Sequence, residues 1–440
     1  MSIVCNVNNL SLEERTNVVK NLQFNKKVNP RYKNQSISPT IYPYNIIEDD
    51  IYLPFFWCQE NVKCSKRPLR SHFSSIDFPK FKGTLRPLQK EVKTDVVKYV
   101  NENGCWWLSM YTGGGKTYTS INIACNIKLK TLVITHRISL MDQWKKSIEN
   151  GCEGGIVQIL TGVNKMNEYA QFYIMNAINV KKRNLEEYKD IGFLIVDEVH
   201  VMATKVMVEA FQYITPRYCL ALSATPYRSD GLDEVLYTYF SKNKIIKTLN
   251  KDHTVFKLMT KFVPKFKLNY DGTTDWSSVI ESMCNSEERN GLIVKIVQMF
   301  SNRNFLILSK RIDQIDYLTK QLREKGESVT CFKGSKQKYN CDSRILIATI
   351  SKAGVGFDHP KMDALILASD VEEYFIQYLG RVFRREDVHP LIFDLVDDFN
   401  SLKRHYYTRK KVYETSGGVI MNFNKENVSK YCEKDYDDFF

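Results

Sequence analysis

The hydrophobic residues of this chain gather in short continuous runs. They read "TLVIT" at 131–135, "GFLIVDE" at 192–198, "CLALSAT" at 219–225, "NFLILSK" at 304–310, "SVTCF" at 328–332, "RILIAT" at 344–349, "ALILAS" at 364–369 and "LIFDLVD" at 391–397. Between them lie stretches with helical spacing of apolar positions. Continuous apolar strands alternating with amphipathic helices predict parallel sheets covered on both faces. The runs form two series, at about 81–245 and about 246–400. A lysine-rich junction joins them, "KNKIIKTLNKDHTVFKLMTKFVPKFKL". The prediction is an α/β chain with two parallel-sheet domains in tandem. Residues 1–80 carry Pro30, Pro39, Pro43, Pro54, Pro68 and Pro79 without strong periodicity and read as an N-terminal accessory region. Residues 401–440 open with "SLKRHYYTRKKVYE" and read as a charged helical tail.

Composition narrows this only a little. At 440 residues the chain is too long for one compact core. The 43% hydrophobic and 26% charged fractions suit a globular protein, and every apolar run is too short to span a membrane. The N-terminus lacks the basic start and apolar centre of a secretory signal, so a reducing, intracellular compartment is expected. The 11 scattered cysteines then read as free thiols. Cys58, Cys64 and His72 could form part of a metal site, but a fourth ligand is not obvious. The excess of 63 Lys+Arg over 50 Asp+Glu, +13 in all, suits a polyanionic partner.

Candidate chemistry sits where strands give way to helices. "GCWWLSM" reads as a buried strand and "TYTSINIACNI" as a helix, with the loop Thr112, Gly113, Gly114, Gly115, Lys116 between and into them. Successive backbone N–H groups and a helix N-terminus there favour phosphate. Lys116 would meet the β- and γ-phosphates of a nucleotide, and the Thr117 hydroxyl would bind Mg²⁺. Met110 stands where the simplest phosphate-loop pattern has its first glycine. The strand "FLIV" then delivers Asp197, suited to hold Mg²⁺ through its water shell, and Glu198, suited to orient or deprotonate an attacking water. Ser223 and Thr225 in "ALSATPYR" could hydrogen-bond these carboxylates.

Phosphate loop, "DEVH" and "SAT", in that order, resemble the superfamily 2 helicases and translocases. "TLRPLQ" (84–89) is similar to the family's segment before the phosphate loop, and "VITHRISLMDQW" (133–144) to its motif Ia. "ATISKAGVGFDHP" (348–360) is similar to motif V, and "QYLGRVFRRE" (377–386) to motif VI. The family often carries a small or apolar residue where Met110 stands. The resemblance covers about residues 81–415 and implies two RecA-like lobes with ATP between them. It implies that Gln89 recognises adenine, that Asp358 and Gln377 sense the nucleotide, and that Arg381 and Arg384 act as arginine fingers in cis. It also implies nucleic-acid backbone contacts from His136, Arg137, Asn176, Lys310, Arg311, Lys333, Gly334 and Thr349, with ATP and Mg²⁺ as cofactors.

Within the superfamily, the acidic box reads DEVH rather than DEAD. The segments from 289 and 391 resemble DNA repair and transcription helicases, nearest those of nucleocytoplasmic large DNA viruses. DNA is therefore preferred as the partner, with an RNA helicase as the alternative. A translocating subunit of a transcription complex is a further alternative, because no strand-splitting wedge is identifiable. Contact with transcription or replication machinery, no membrane association and a monomeric state are expected. If the protein is viral, the host cytoplasm or nucleus is expected, and packaging in the virion.

Overall fold

The structure is a computed structural model that describes residues 1–25, 40–63, 65–225, 227–228, 230–334, 339–353, 359–371 and 375–432. The chain forms two compact units, Met1–Lys247 and Thr248–Phe440.

The first unit is built on seven strands: β1 (Cys105–Met110), β2 (Thr131–Thr135), β3 (Val157–Leu160), β4 (Phe172–Asn176), β5 (Phe193–Val196), β6 (Tyr218–Ser223) and β7 (Lys244–Lys247). They lie in the order β7-β1-β6-β5-β2-β4-β3, and every pairing is parallel. Register aligns Val196 with Ile134 and Ala221, and Ser223 with Ser109, so the carboxyl ends of the central strands share one edge. Alternate strand residues serve opposite cores. Trp107, Ile134, Val196 and Ala221 face one cluster, and Leu108, Val133, Ile195 and Leu220 face the other. Burial on both sides explains why these strands read as unbroken apolar runs.

The second face is covered by α1 (Pro87–Asn103), α2 (Lys116–Ile127) and α3 (Ile138–Gly151). Part of the first face is covered by the N-terminal residues. An antiparallel sheet of Ser2–Asn6, Asn45–Ile47 and Asp50–Pro54, with the helix Phe55–Asn61, packs Ile3, Leu53, Phe55 and Trp57 into the same core as Trp107 and Phe211. Ser2 N–H donates to the Ile214 carbonyl at 2.8 Å. These residues therefore form part of the first unit's interior, through elements too short to register as a periodic signal.

The second unit repeats the plan with β8 (His253–Met259), β9 (Phe305–Ser309), β10 (Val329–Phe332), β11 (Ile345–Thr349), β12 (Ala364–Leu367), β13 (Leu391–Val396) and β14 (Gly418–Asn422). The order is β10-β11-β9-β12-β13-β8-β14, again parallel throughout. The C-terminal segment supplies the helix Asn400–Thr415 and also β14, the sheet's seventh strand. Two carboxylates on or just after β13 are buried and paired. Asp394 accepts Arg409 through two bonds of 2.8 and 2.9 Å, and Asp397 accepts Arg289 at 3.0 Å. Buried charges persist when paired and hydrogen-bonded. No helix among the described residues is long and apolar enough to cross a membrane.

Candidate nucleotide site

The loop after β1 is shaped by its glycines. Gly113 and Gly115 have φ of 87° and 94°, a region that disfavours side chains. A Cβ on Gly115 would also lie 1.9 Å from the amide nitrogen of Gln89. Glycine at 115 is thus required by conformation, the close neighbour being the end of a side chain that can move. Met110 points away from this loop's open side: its side chain is fully buried in the cluster with Leu108 and Ile121, packed beneath Gly114. The apolar residue in place of the first glycine therefore serves the core.

Lys116 opens α2, and its Nζ donates to the Met110 carbonyl at 2.8 Å, which folds the ammonium back over the loop. Thr117, half-buried, follows in the first turn. Gln89 ties α1 to the same loop: its Oε1 accepts Arg86 N–H at 2.8 Å and its Nε2 donates to the Gly115 carbonyl at 3.4 Å. Arg86 Nη2 donates to the Gly113 carbonyl at 3.0 Å. Thr112 is half-buried, Gly113 exposed and Gly114 buried.

At the end of β5, Asp197 is buried. Its Oδ2 accepts the Trp144 indole N–H at 2.8 Å and its Oδ1 accepts Glu198 N–H at 3.0 Å. Burial, then the neighbouring Glu198 charge, pushes its pKa up to about 6. For Glu198, burial acts to raise the pKa, but the Lys116 ammonium, His200 and the Ala224 N–H outweigh it and hold the carboxylate below its usual range. Glu198 has φ 48° and ψ 49°. That left-handed conformation costs a non-glycine residue roughly 1–3 kcal/mol and clusters at functional sites.

The expected hydroxyl contacts of the SAT segment take a different route. Ser223 Oγ lies 2.8 Å from His200 Nδ1 and donates to the Thr225 carbonyl at 2.6 Å. It is the Ala224 N–H that reaches Glu198 Oε2, at 3.4 Å, and His200 Nδ1 lies at the same distance from that oxygen. The link between SAT and the acidic box therefore runs through a histidine and a backbone amide. Arg228 closes this shell by donating to the His200 carbonyl and pairing with Asp230 at 2.7 Å. Burial pushes the His200 imidazole below its ordinary pKa, aided by Arg228 and Lys116 and opposed by Glu198. Trp144 and His200 both lie in segments that resemble family motifs, but nothing in their spacing assigned them roles.

The remaining predicted residues are distributed as follows. His136 stands close enough to Glu198 and His200 to feel both charges, and burial with Arg137 pushes its pKa down to about 4. It is therefore a neutral imidazole bordering the acidic box. Arg137 is exposed at the start of α3. Asn176 does not reach an exposed rim. It is buried, and its Oδ1 accepts Ile178 N–H at 3.1 Å, capping the following turn. In this geometry its amide oxygen serves the turn.

In the second unit, Gln377 and Arg381 are buried on α4 (Phe375–Val382), and Arg384 is half-buried just beyond. Both arginines lie near Tyr339, whose ionisation their charges favour against burial. Lys310 is exposed at the end of β9, and Arg311 Nη2 donates to Ser277 Oγ at 2.6 Å. Lys333 pairs with Asp316, and Gly334 is exposed with φ 55°. Thr349 is half-buried at the end of β11, its Oγ1 accepting from Ser351 Oγ at 3.4 Å. Asp358 lies outside the described residues, as does Cys64. Cys58 is buried with its Sγ 3.9 Å from Cys5 Sγ, and His72 Nδ1 accepts Leu69 N–H at 3.3 Å. Among the described residues no cluster of three or more His, Cys, Asp or Glu could hold a metal ion.

Residues 82–228, which span Gln89 to Arg228, match the family described as "Type III restriction enzyme, res subunit". The chain is 40% identical over 405 residues to 161L of Invertebrate iridescent virus 6, a protein named as a helicase, covering 86% of this chain and 91% of that relative. It is 28% identical over 387 residues to L396 of Acanthamoeba polyphaga mimivirus, named as an ATP-dependent RNA helicase, covering 81% of this chain and 73% of the relative. Among solved structures, S. cerevisiae Dbp5 bound to RNA and ADP BeF3 aligns with a TM-score of 0.55 at 13% identity, covering 79% of this chain and 96% of that chain. At that identity the likeness is one of fold.

Proposed function

This chain belongs to the superfamily 2 helicases, in the family of the iridescent-virus helicases, and from that premise we propose how its residues divide the work. It is an ATP-dependent nucleic-acid helicase or translocase built on two RecA-like units. In the proposed site the triphosphate lies on the N–H groups of Thr112 to Thr117, at the positive end of α2. Lys116 leaves the Met110 carbonyl for the β- and γ-phosphates. The observation that carries this reading is the convergence of Lys116 with Asp197 and Glu198 at the carboxyl edge of β1 and β5.

The donor set suits Mg²⁺, which takes hard oxygen ligands: the Thr117 hydroxyl and the Asp197 carboxylate are of that kind. A bound Mg²⁺ would neutralise charge on the phosphate oxygens and would relieve the repulsion between Asp197 and Glu198. Trp144 fixes the Asp197 carboxylate through its indole N–H. Glu198, ionised at neutral pH and steered by Ala224 N–H, takes the role of base toward the attacking water. Gln89 reads the base edge of adenine, a contact for which its amide must leave the loop carbonyl. From the second unit, Arg381 and Arg384 stabilise the charge that develops on the transferred phosphoryl, with Gln377 and Asp358 as nucleotide sensors. Alternate tight and loose grips on the strand, driven by that cycle, give stepping.

DNA is the proposed polynucleotide, on motif style and net positive charge. Exposed Arg137, Lys310 and Gly334, with Arg311 and Thr349, are the proposed backbone contacts, a chemistry that positions a strand without reading it. The name of L396 favours the RNA alternative. A monomer acting with transcription or replication machinery in an infected cell completes the proposal. Steady-state ATPase rates with single-stranded DNA, duplex DNA and RNA test it: DNA is expected to raise kcat above that of the bare enzyme. Stimulation by RNA alone would transfer the reading to RNA, and no response to any polynucleotide would contradict it.

A further inference from the structure

We propose that a hairpin at residues 261–275 of the second unit is a separate single-strand contact, in which the Tyr270 ring stacks on an unpaired base while Lys265 and Lys267 hold the flanking phosphates. The proposal rests on the nucleic-acid reading above and adds a site that reading does not contain.

The hairpin follows β8 and turns back at Gly272, whose φ is 75°. Leu268 bridges Thr274 in antiparallel fashion. Asn269 N–H donates to the Thr273 carbonyl at 2.8 Å, and Asp275 N–H donates to the Lys267 carbonyl at 2.8 Å. Its base is pinned to the helix Trp276–Asn285: Lys265 N–H donates to Ser282 Oγ and Lys267 N–H to Ser278 Oγ, both at 2.8 Å. The Phe266 ring packs on Phe399 with centroids 5.3 Å apart. The tip is thus held in place by its own bonds and by its root.

Nonetheless the tip buries almost nothing. Tyr270 is 114% exposed and Leu268 63%. The Tyr270 ring contributes nothing to the core, and with exposed Val263, Phe266 and Leu268 it gives this anchored segment a run of apolar side chains open to a partner. Charge selects that partner. Lys261, Lys265 and Lys267 are exposed, and none of them makes an ion pair among the described residues. Of the hairpin's own two carboxylates, Asp271 is exposed at the turn, where it accepts Thr273 N–H and Oγ1, and Asp275 caps the following helix by accepting Ser277 N–H; the three lysines outnumber them. Location supports the same partner. Arg311, a proposed backbone contact, donates to Ser277 at the foot of the hairpin. An aromatic ring beside unpaired lysines is the usual platform for single strands, because every base offers a π-face for stacking.

The test uses the full chain and fluorescein-labelled 20-nucleotide single strands, dT20 and U20, with a blunt 20-base-pair DNA duplex as comparison. Binding is read by anisotropy. Y270A is expected to weaken single-strand binding about 5- to 100-fold, and duplex binding much less. Y270F should restore it and Y270L should not, a pattern that a merely structural role would not give. K265A/K267A should lower the slope of log affinity against log salt for single strands by about 1.4. The ring lies outside any packed core, so Y270A should unfold at the wild-type temperature. Y270A binding both strands like wild type, or Y270L rescuing as well as Y270F, would overturn the hairpin assignment and point to a protein partner. A wild-type chain that binds neither strand would overturn this assignment together with the reading beneath it.

Discussion

Replacing Lys116 with Ala is expected to lower polynucleotide-stimulated ATP hydrolysis by about 10³-fold or more, with weaker ATP binding as well. The ammonium is a positive charge of the loop that acts on both Asp197 and Glu198. Its removal takes away phosphate neutralisation in a water-poor site, where one preorganised donor alone contributes about 10²–10³ in rate. It also removes the charge that holds Glu198 ionised. The carboxylate's pKa would then rise under burial. Two losses from one substitution explain the size of the expected effect. Rates measured across pH separate them: the residual activity of Lys116→Ala should climb toward higher pH more steeply than wild type. Unchanged turnover would remove the phosphate loop from the chemistry.

Glu198→Gln is expected to behave differently. Glutamine keeps the size of the side chain and can still accept the Ala224 N–H through its carbonyl, so the loop geometry should hold. The base is lost, which costs about 10²–10⁴ in rate. One negative charge facing the triphosphate is lost too, so ATP should bind at least as tightly as in wild type. The neighbouring Asp197 carboxyl, raised to about 6 partly by the Glu198 charge, should titrate lower in this variant. Equilibrium binding of ATP beside single-turnover hydrolysis reads both effects. A variant that fails to bind ATP would assign Glu198 another role.

The loop and the acidic pair were legible because their chemistry depends on residue types at fixed local spacing. Gly113 to Thr117 must be contiguous to form one cradle, and Asp197 and Glu198 must end one strand. The two α/β sheets were legible for a similar reason, since burial on both faces leaves unbroken apolar runs. What escaped depends on distant partners. Trp144 reaches Asp197 across 53 positions and His200 reaches Ser223 across 23. Nothing in the local pattern marks an indole or an imidazole for such a bond. Ser2–Asn6 pairs with Asp50–Pro54, and Gly418–Asn422 adds to β8, more than 150 residues earlier. Strands this short carry little periodicity, and only their packing explains them. Asn176 shows the converse: an amide at a strand end suits both a phosphate contact and a helix cap, and local sequence does not choose between them.

The central proposal is that both halves of the chain act on one triphosphate. Single-turnover hydrolysis by Arg384→Ala, at saturating ATP and single-stranded DNA, tests it most directly. ATP affinity is expected within a few-fold of wild type and hydrolysis slower by about 10³–10⁵, the range for an arginine finger. Hydrolysis at the wild-type rate would show that the first unit works on ATP alone, and would contradict the account.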